Sequence, residues 1–355
     1  MKKNYNLLTS NIKNRLNPDG ILLEKSFSDE LGSISYSDAL TYVRYAMKGV
    51  EPEYTQKSKE AGEKVKDHLK KVLDDVVYKY QGSVMTNTHI KGHSDIDLLA
   101  ISDRFYSWNR LGVSNLLNNS ARVSQFSSSS VQKLIKENSS SGGYTNALND
   151  LREIRTKSEL KMEEIYSVCD ISKPKAIKIK NLSLNREVDI VTANWYDDVT
   201  SIINDKDSDF RGIQVYNKHE DKKGDANYPF TSISRINRRS SNTGGRLKKM
   251  IRFLKHCKAE SGQEIKLSSF DINAVCYDID PNSYDTLPFY GLVPILYKQL
   301  KRICENGSFA DNIVSVDGRE YIFKFDPIKK DNLRLLLSEV ESIFIDLSEN
   351  NLLVA

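Results

Sequence analysis

Apolar residues recur every three or four positions across residues 54–80, at Ala61, Val65, Leu69, Val72 with Leu73, Val76 with Val77, and Tyr80, with Lys and Glu between them. This period predicts one long amphipathic helix. Pro52 stands just ahead of it, where a helix start tolerates proline. A shorter helix is expected over residues 36–47. Branched apolar runs at residues 96–101, 176–179 and 188–191 read as strands. Serine is dense between residues 118 and 144, including Ser127–Ser130 and Ser139–Ser141, and the stretch reads as a mobile loop. Leu148, Leu151, Ile154, Met162 and Ile165 mark a further helix. Residues 205–227 are polar and loop-like and are expected to cross between subdomains. Beyond them the pattern is mainly helical, with a hairpin expected around Asp317-Gly318. Strands followed by helices give an α+β core with a helical appendage, divided as residues 1–204 and 205–355.

Composition narrows this only a little. A chain of 355 residues can bury a substantial core, as one large domain or two modest ones. The formal net charge of +4 permits attraction to phosphate-bearing ligands without demanding nucleic acid. Cys169, Cys257, Cys276 and Cys304 show no paired spacing, so reduced thiols are expected rather than zinc, redox or disulfide chemistry. The first residues turn polar after Leu8, and no apolar run approaches the ~18 residues of a membrane helix. A cytoplasmic protein without membrane contact is expected.

The candidate chemistry lies between the strands. Gly82-Ser83 follows the predicted helix, at a point where glycine suits a sharp turn; alone the pair describes nothing more than a turn. Asp95-Ile96-Asp97 comes twelve residues after Ser83. On a strand, Asp95 and Asp97 share one face while Ile96 and Leu98 point inward. Two adjacent carboxylates repel each other unless a cation lies between them, and hard oxygen donors suit Mg²⁺. An isolated Asp-x-Asp is more often the end of a solvent-facing strand. Asp189, flanked by Val188 and Ile190, adds a third carboxylate on another strand. Three such groups on neighbouring strands can hold two Mg²⁺ (or Mn²⁺) for in-line phosphoryl transfer. Glu187 shares the face of Asp189 and is read as a spectator.

A second region is basic. In residues 245–257, Leu247, Met250, Ile251, Leu254 and Cys257 form an apolar stripe, with Lys248, Arg252 and Lys255 on another face. Ser269 is expected to cap the following helix and present hydroxyl and N–H groups to an anion. His89 and His93 are expected to be exposed loop residues, and Trp108 and Trp195 to be packing residues.

Gly82-Ser83, Ser94-Asp95-Ile96-Asp97 and Val188-Asp189-Ile190 together resemble the DNA-polymerase-β-type nucleotidyltransferase superfamily. The resemblance implies a mixed-sheet core with a long spine helix, a Gly-Ser turn that receives a donor triphosphate, and metal binding by Asp95, Asp97 and Asp189. The basic helix narrows it to the branch of 2′-5′-oligoadenylate synthetases, cyclic GMP-AMP synthase and the bacterial cyclic-oligonucleotide synthases. That branch implies triphosphate contacts from Lys255 and Ser269, with Arg252 beside them and Phe270 stacking on a base. There is no Cys/His cluster like the zinc-bearing insertion of animal cyclic GMP-AMP synthase, and the charge is too small for an RNA-activating groove; both absences favour the bacterial branch.

The expected activity is Mg²⁺-dependent joining of nucleoside triphosphates, ATP and/or GTP, into a cyclic di- or trinucleotide with release of pyrophosphate, in antiphage signalling. The same chemistry with another acceptor would give linear oligonucleotides or a modified RNA end or protein. A catalytically silent nucleotide-binding regulator is the alternative of a different class. Some bacterial relatives end in a small residue joined to targets by ubiquitin-transfer-like enzymes, which makes Ala355 a candidate for such a partner.

Overall fold

The computed structural model describes residues 3–18, 37–92, 95–140 and 143–349. His93, Ser94, Ser141, the expected helix start at Tyr36 and the terminal Ala355 lie outside the described residues. In chain order the described elements begin with α1 (Tyr5–Leu16), α2 (Asp38–Met47), α3 (Pro52–Leu69), β1 (Val76–Gln81) and β2 (Ile96–Trp108). Next come α4 (Arg110–Leu117), α5 (Ser120–Val123), α6 (Ser128–Ser139), α7 (Ala147–Ile165), β3 (Cys169–Asp170), β4 (Ile177–Asn181) and β5 (Arg186–Asp197). Then follow α8 (Val199–Ile203), β6 (Gly212–Asn217), β7 (Lys222–Asn227), α9 (Pro229–Asn242), α10 (Arg246–Glu260) and α11 (Ser269–Asp278). The last are α12 (Leu292–Glu305), α13 (Gly307–Asp311) and α14 (Pro327–Glu349). Among the described residues no helix is long and apolar enough to cross a membrane.

Two compact units result. One comprises Gln56–Met85 and Asp95–Ser234; the other comprises Met1–Thr55, Thr86–Ser94 and Arg235–Ala355. The boundary therefore differs from the expected 204/205. Residues of α1 and α2, expected with the nucleotidyltransferase core, bury Ile12, Leu40 and Val43 in the same cluster as Leu254, Leu296 and Leu336 of the C-terminal helices. Hydrophobic surface on both ends of the chain finds a shared core, which local sequence order cannot reveal.

The first unit is built on a mixed sheet ordered β1-β2-β5-β4-β3, with β6 and β7 continuing beside β5. Only β2 and β5 run parallel; the other pairs are antiparallel. Residues 186–190 of β5 pair with β4, and residues 193–196 pair with β6. Ile96, Leu98, Val188 and Ile190 point to one face and pack with Ala61, Val65 and Leu69 of α3 and Ile154 and Met162 of α7. Leu99, Ile101, Val191 and Ala193 fill the opposite face with Trp195 and Phe230. Both faces are covered along the middle of the two central strands, where Leu98–Ile101 of β2 and Ile190 with Val191 of β5 are apolar.

Four local expectations are corrected. The helix predicted over 54–80 stops at Leu69, and residues 76–81 form β1. Asp75 adopts a positive φ of 54°, and the β-branched and aromatic run after it pairs with β2. Val72, Val76 and Tyr80 fit a helical period and a strand alike, so pairing with an available neighbour decides. The serine-dense stretch is not a loop throughout: Ser127 caps α6 by accepting the Ser130 N–H at 3.2 Å, and Leu134 anchors that helix against Val113, Leu116 and Ile202. Residues 212–227 form the β6–β7 hairpin, turned through Asp221 at φ 50°. Its outer strand carries the charged side chains usual on a sheet edge. Around Asp317-Gly318 the expected hairpin is a tight turn with a single bridge, Val314 to Tyr321.

Arg155 of α7, 2% exposed, anchors the segment that feeds β4. Its guanidinium donates to the carbonyls of Lys173 at 2.9 Å and Ala176 at 3.0 Å and pairs with Glu159 at 2.6 Å. Replacing this buried guanidinium with methionine removes the donor to these carbonyls and a partner of Glu159, so Arg155→Met is expected to lower unfolding stability by about 3 kcal/mol in denaturant titrations. A loss below about 1 kcal/mol would contradict this anchoring role.

Candidate active site

The parallel pairing of β2 with β5 places Asp97 directly beside Asp189. Gln81 of β1 flanks Asp97 on one side, and Lys178 of β4 flanks Asp189 on the other. Residues in register point to the same face, so Gln81, Asp97, Asp189 and Lys178 form one rung across four strands. Alternation then puts these carboxylates on the side of Leu99 and Val191, opposite the face covered by α3 and α7. Asp95 lies just ahead of β2 and is more exposed.

Electrostatics record the crowding. Burial, then Asp189, then Asp95 push the Asp97 carboxyl up to about 6. Burial also raises Asp189, partly opposed by Lys178. The Asp189 Oδ1 atom is buried without a hydrogen-bond partner among the described residues. Gly82 closes the other side. Its φ is +93°, a conformation that favours glycine, and a Cβ there would lie a tight 3.0 Å from Asp97 Oδ2. The Met85 N–H returns to the Gly82 carbonyl at 3.2 Å, and half-buried Ser83 sits on that turn.

Lys178 was not legible as a site residue, although the alternation of Ile177 and Ile179 inward already put it on the opposite face. Its Nζ lies 2.8 Å from Asp95 Oδ2 and 2.5 Å from Glu187 Oε2. Burial opposes the lysine charge, but the bonds to Asp95 and Glu187 hold its pKa above the ordinary value. Glu187, read as a spectator, is thus the second partner of this lysine.

The donor set fits a divalent cation. An orphaned buried carboxylate oxygen, and a neighbour that resists ionisation for want of positive charge, are what such an ion would satisfy. Among the described residues no three carboxylate, imidazole or thiol side chains converge as a closed metal cage; Asp95 lies against Lys178 instead.

The predicted triphosphate contacts belong to the other unit. Arg252 is 7% exposed and donates to the carbonyls of Met47 at 2.9 Å and Asn87 at 2.7 Å. Lys255, 6% exposed, donates to the Thr88 carbonyl at 3.0 Å and hydroxyl at 3.3 Å. Burial lowers Arg252 to about 10 and Lys255 to about 8. Ser268 rather than Ser269 caps α11, in a reciprocal box with Asp271. Ser269 is the exposed first residue of that helix, and Phe270 is half-buried against its unit's core. His89, expected on the surface, is 3% exposed, with Nε2 3.2 Å from the Thr55 hydroxyl.

A carboxyl whose folded pKa exceeds its unfolded value of 3.8 binds protons more readily when folded, so stability falls as pH rises toward 6. Above that the penalty, up to about 3 kcal/mol, is fully present in metal-free protein. Asp97→Asn removes it. In EDTA its melting temperature should exceed wild type by a few degrees near pH ~7.5, with the gain fading toward pH ~4. An unchanged or lower melting temperature at the higher pH would contradict the crowding of this rung.

Comparison with known proteins identifies the family. Residues 234–344 match the model of the cGAS/DncV-like nucleotidyltransferase C-terminal helical domain. A c-di-GMP synthase from Capnocytophaga granulosa is 53% identical over 351 residues, covering 98% of both chains. The solved STING-associated CdnE c-di-GMP synthase from Flavobacteriaceae sp. superposes with a TM-score of 0.90 at 40% identity, over 99% of this chain and 100% of that one. The corresponding structure from Capnocytophaga granulosa gives a TM-score of 0.81 at 48% identity, over 98% of this chain and 100% of that one. Enzymes of this family generally depend on a divalent metal. The chain belongs to the cGAS/DncV-like nucleotidyltransferases, the enzymes that build cyclic oligonucleotides.

Proposed function

We propose that this enzyme condenses two molecules of GTP into cyclic di-GMP, releasing two pyrophosphates. The observation that carries the product is 53% identity to a c-di-GMP synthase over 98% of both chains. The reaction centre is assigned to Asp95, Asp97 and Asp189, the only chemistry on the sheet that needs clustered negative charge. These carboxylates would hold two Mg²⁺ (or Mn²⁺) ions. When bound, such ions neutralise charge on the triphosphate and favour ionisation of the attacking ribose hydroxyl.

The chain's own contribution is positioning. Gly82 brings the turn backbone against Asp97, which supports the Gly82-Ser83 turn as the seat of the donor triphosphate. Asp189, held in register with Asp97, orients the acceptor side. Exposed Ser269, in the first turn of α11, offers its N–H and hydroxyl to a phosphate, and Phe270 is placed beside it for a base. Arg252 and Lys255 serve the site by fixing the carbonyls of Asn87 and Thr88, in the segment that links Gly82-Ser83 to Asp95.

The reading extends to setting. Both solved relatives are described as STING-associated, which supports a STING-type receptor for the product. Antiphage signalling in the cytoplasm, and a ubiquitin-transfer-like partner at Ala355, follow from the family resemblance.

Purified protein incubated with GTP and Mg²⁺ should yield a phosphatase-resistant product with the mass of cyclic di-GMP, and one pyrophosphate per GTP consumed. Asp95→Asn/Asp97→Asn should cut the rate at least ~1,000-fold, equivalent to ~4 kcal/mol of barrier. A linear product, or an absolute requirement for ATP, would overturn the product assignment. Unimpaired turnover by the double variant would overturn the site.

A further inference from the structure

On the carboxylate face, Asp95, Asp97, Asp189 and Glu187 crowd around Lys178, which ion-pairs with Asp95 and Glu187. Register alone would pair Lys178 with Asp189, the residue directly opposite it. The ammonium goes elsewhere: it bonds Asp95 at 2.8 Å and Glu187 at 2.5 Å. Asp189 Oδ1 is left buried without a partner among the described residues. The lysine thus bonds the most exposed of the three metal-ligand candidates, and its two ion pairs spare the half-buried Asp97 and Asp189.

We propose that Lys178 is a resident counter-cation of this site, which a divalent ion must displace from Asp95, with Glu187 retaining the ammonium after displacement. This rests on the assignment of Asp95, Asp97 and Asp189 as metal ligands, and is independent of which nucleotide is used. Two features of the geometry support it. Lys178 already contacts both carboxylates, so release from Asp95 needs only loss of one contact and no search for a new partner. β4 is also held firmly: Ile177 and Ile179 are fully buried, and Arg155 clamps the carbonyl of Ala176 just ahead of the strand. The backbone under Lys178 is therefore fixed, and the flexible part is its own four-carbon stem. The device makes Glu187 a positioning residue and explains why a second acid lies next to the metal-ligand strand position without being a ligand.

The test uses Mn²⁺ alone, without nucleotide, with free Mn²⁺ read by electron paramagnetic resonance on the full chain. Lys178→Met should tighten Mn²⁺ binding about 2- to 5-fold, the range expected from loss of one partly exposed ion pair. A general field effect of the lysine would act equally through Asp97 and Asp189, whereas displacement acts through Asp95. Lys178→Met should therefore have no effect in an Asp95→Asn background. Unchanged or weaker binding by Lys178→Met, or equal tightening in both backgrounds, overturns the proposal. Glu187→Gln reads the same device from the other side, should Lys178→Met not fold. With its second partner gone, Lys178 stays on Asp95, and Mn²⁺ binding should weaken by a similar factor in wild type but not in Asp95→Asn. Equal weakening in both backgrounds overturns the proposal. If Asp97→Asn/Asp189→Asn binds Mn²⁺ as well as wild type, the metal assignment itself falls, whatever product the GTP assay finds.

Discussion

Two carboxylates in register on adjacent parallel strands are the constraint around which this sheet is organised. Asp97 and Asp189 cannot move apart without breaking the β2–β5 ladder, and they cannot ionise together cheaply where they stand. The ladder holds because its neighbours on both faces are buried. Ile96, Leu98, Val188 and Ile190 are fully buried on one side, and Leu99, Ile101 and Ala193 on the other. Each large apolar side chain so buried contributes about 1.5–3 kcal/mol. Several of them together outweigh the ~3 kcal/mol that crowding at Asp97 represents. The core thus holds the charges together.

This balance explains which parts of the site could be read from the sequence. Short apolar runs at Leu98–Ile101 of β2 and Ile190 with Val191 of β5 lie where both faces are covered, and aspartates beside such runs stand out. Asp95, Asp97 and Asp189 were legible for that reason. The α10 stripe of Leu247, Met250, Ile251, Leu254 and Cys257 was legible because helical period and burial coincide there. β1 was not, since Val72, Val76 and Tyr80 satisfy either period and only the free edge of β2 decides between them. Ser127 illustrates the opposite difficulty: its role as a cap depends on Leu134 finding Val113 and Ile202, contacts far along the chain. Lys178 stayed hidden because a lysine alternating outward on a short strand looks solvated until the pairing with β5 is known.

The basic helix shows where spacing alone misleads. Lys248, Arg252 and Lys255 recur as a charged face should, yet Arg252 and Lys255 are buried and donate to the carbonyls of Met47, Asn87 and Thr88 and to the Thr88 hydroxyl. The physical reason lies in residues 86–92. This segment has no regular ladder, and Asn87 takes a left-handed φ of 52°. Its carbonyls need donors that a helix or sheet would otherwise supply, and long cationic side chains can deliver them from a distance.

The same logic bears on why the carboxylate rung tolerates a lysine at all. Without a cation, the face would carry four acids within a few side-chain lengths, and the exposed one, Asp95, would be free to swing into solvent. A lysine bonded to Asp95 and Glu187 limits that repulsion while leaving Asp97 and Asp189 open, so the buried part of the site keeps its demand for positive charge. An arginine there would be a poorer choice. Its rigid bidentate fork would grip one carboxylate more tightly, whereas a compact ammonium on a flexible stem can share two acids and exchange one of them readily. A site that must admit a metal together with a triphosphate is better served by a neutralising partner that holds loosely than by one that holds well.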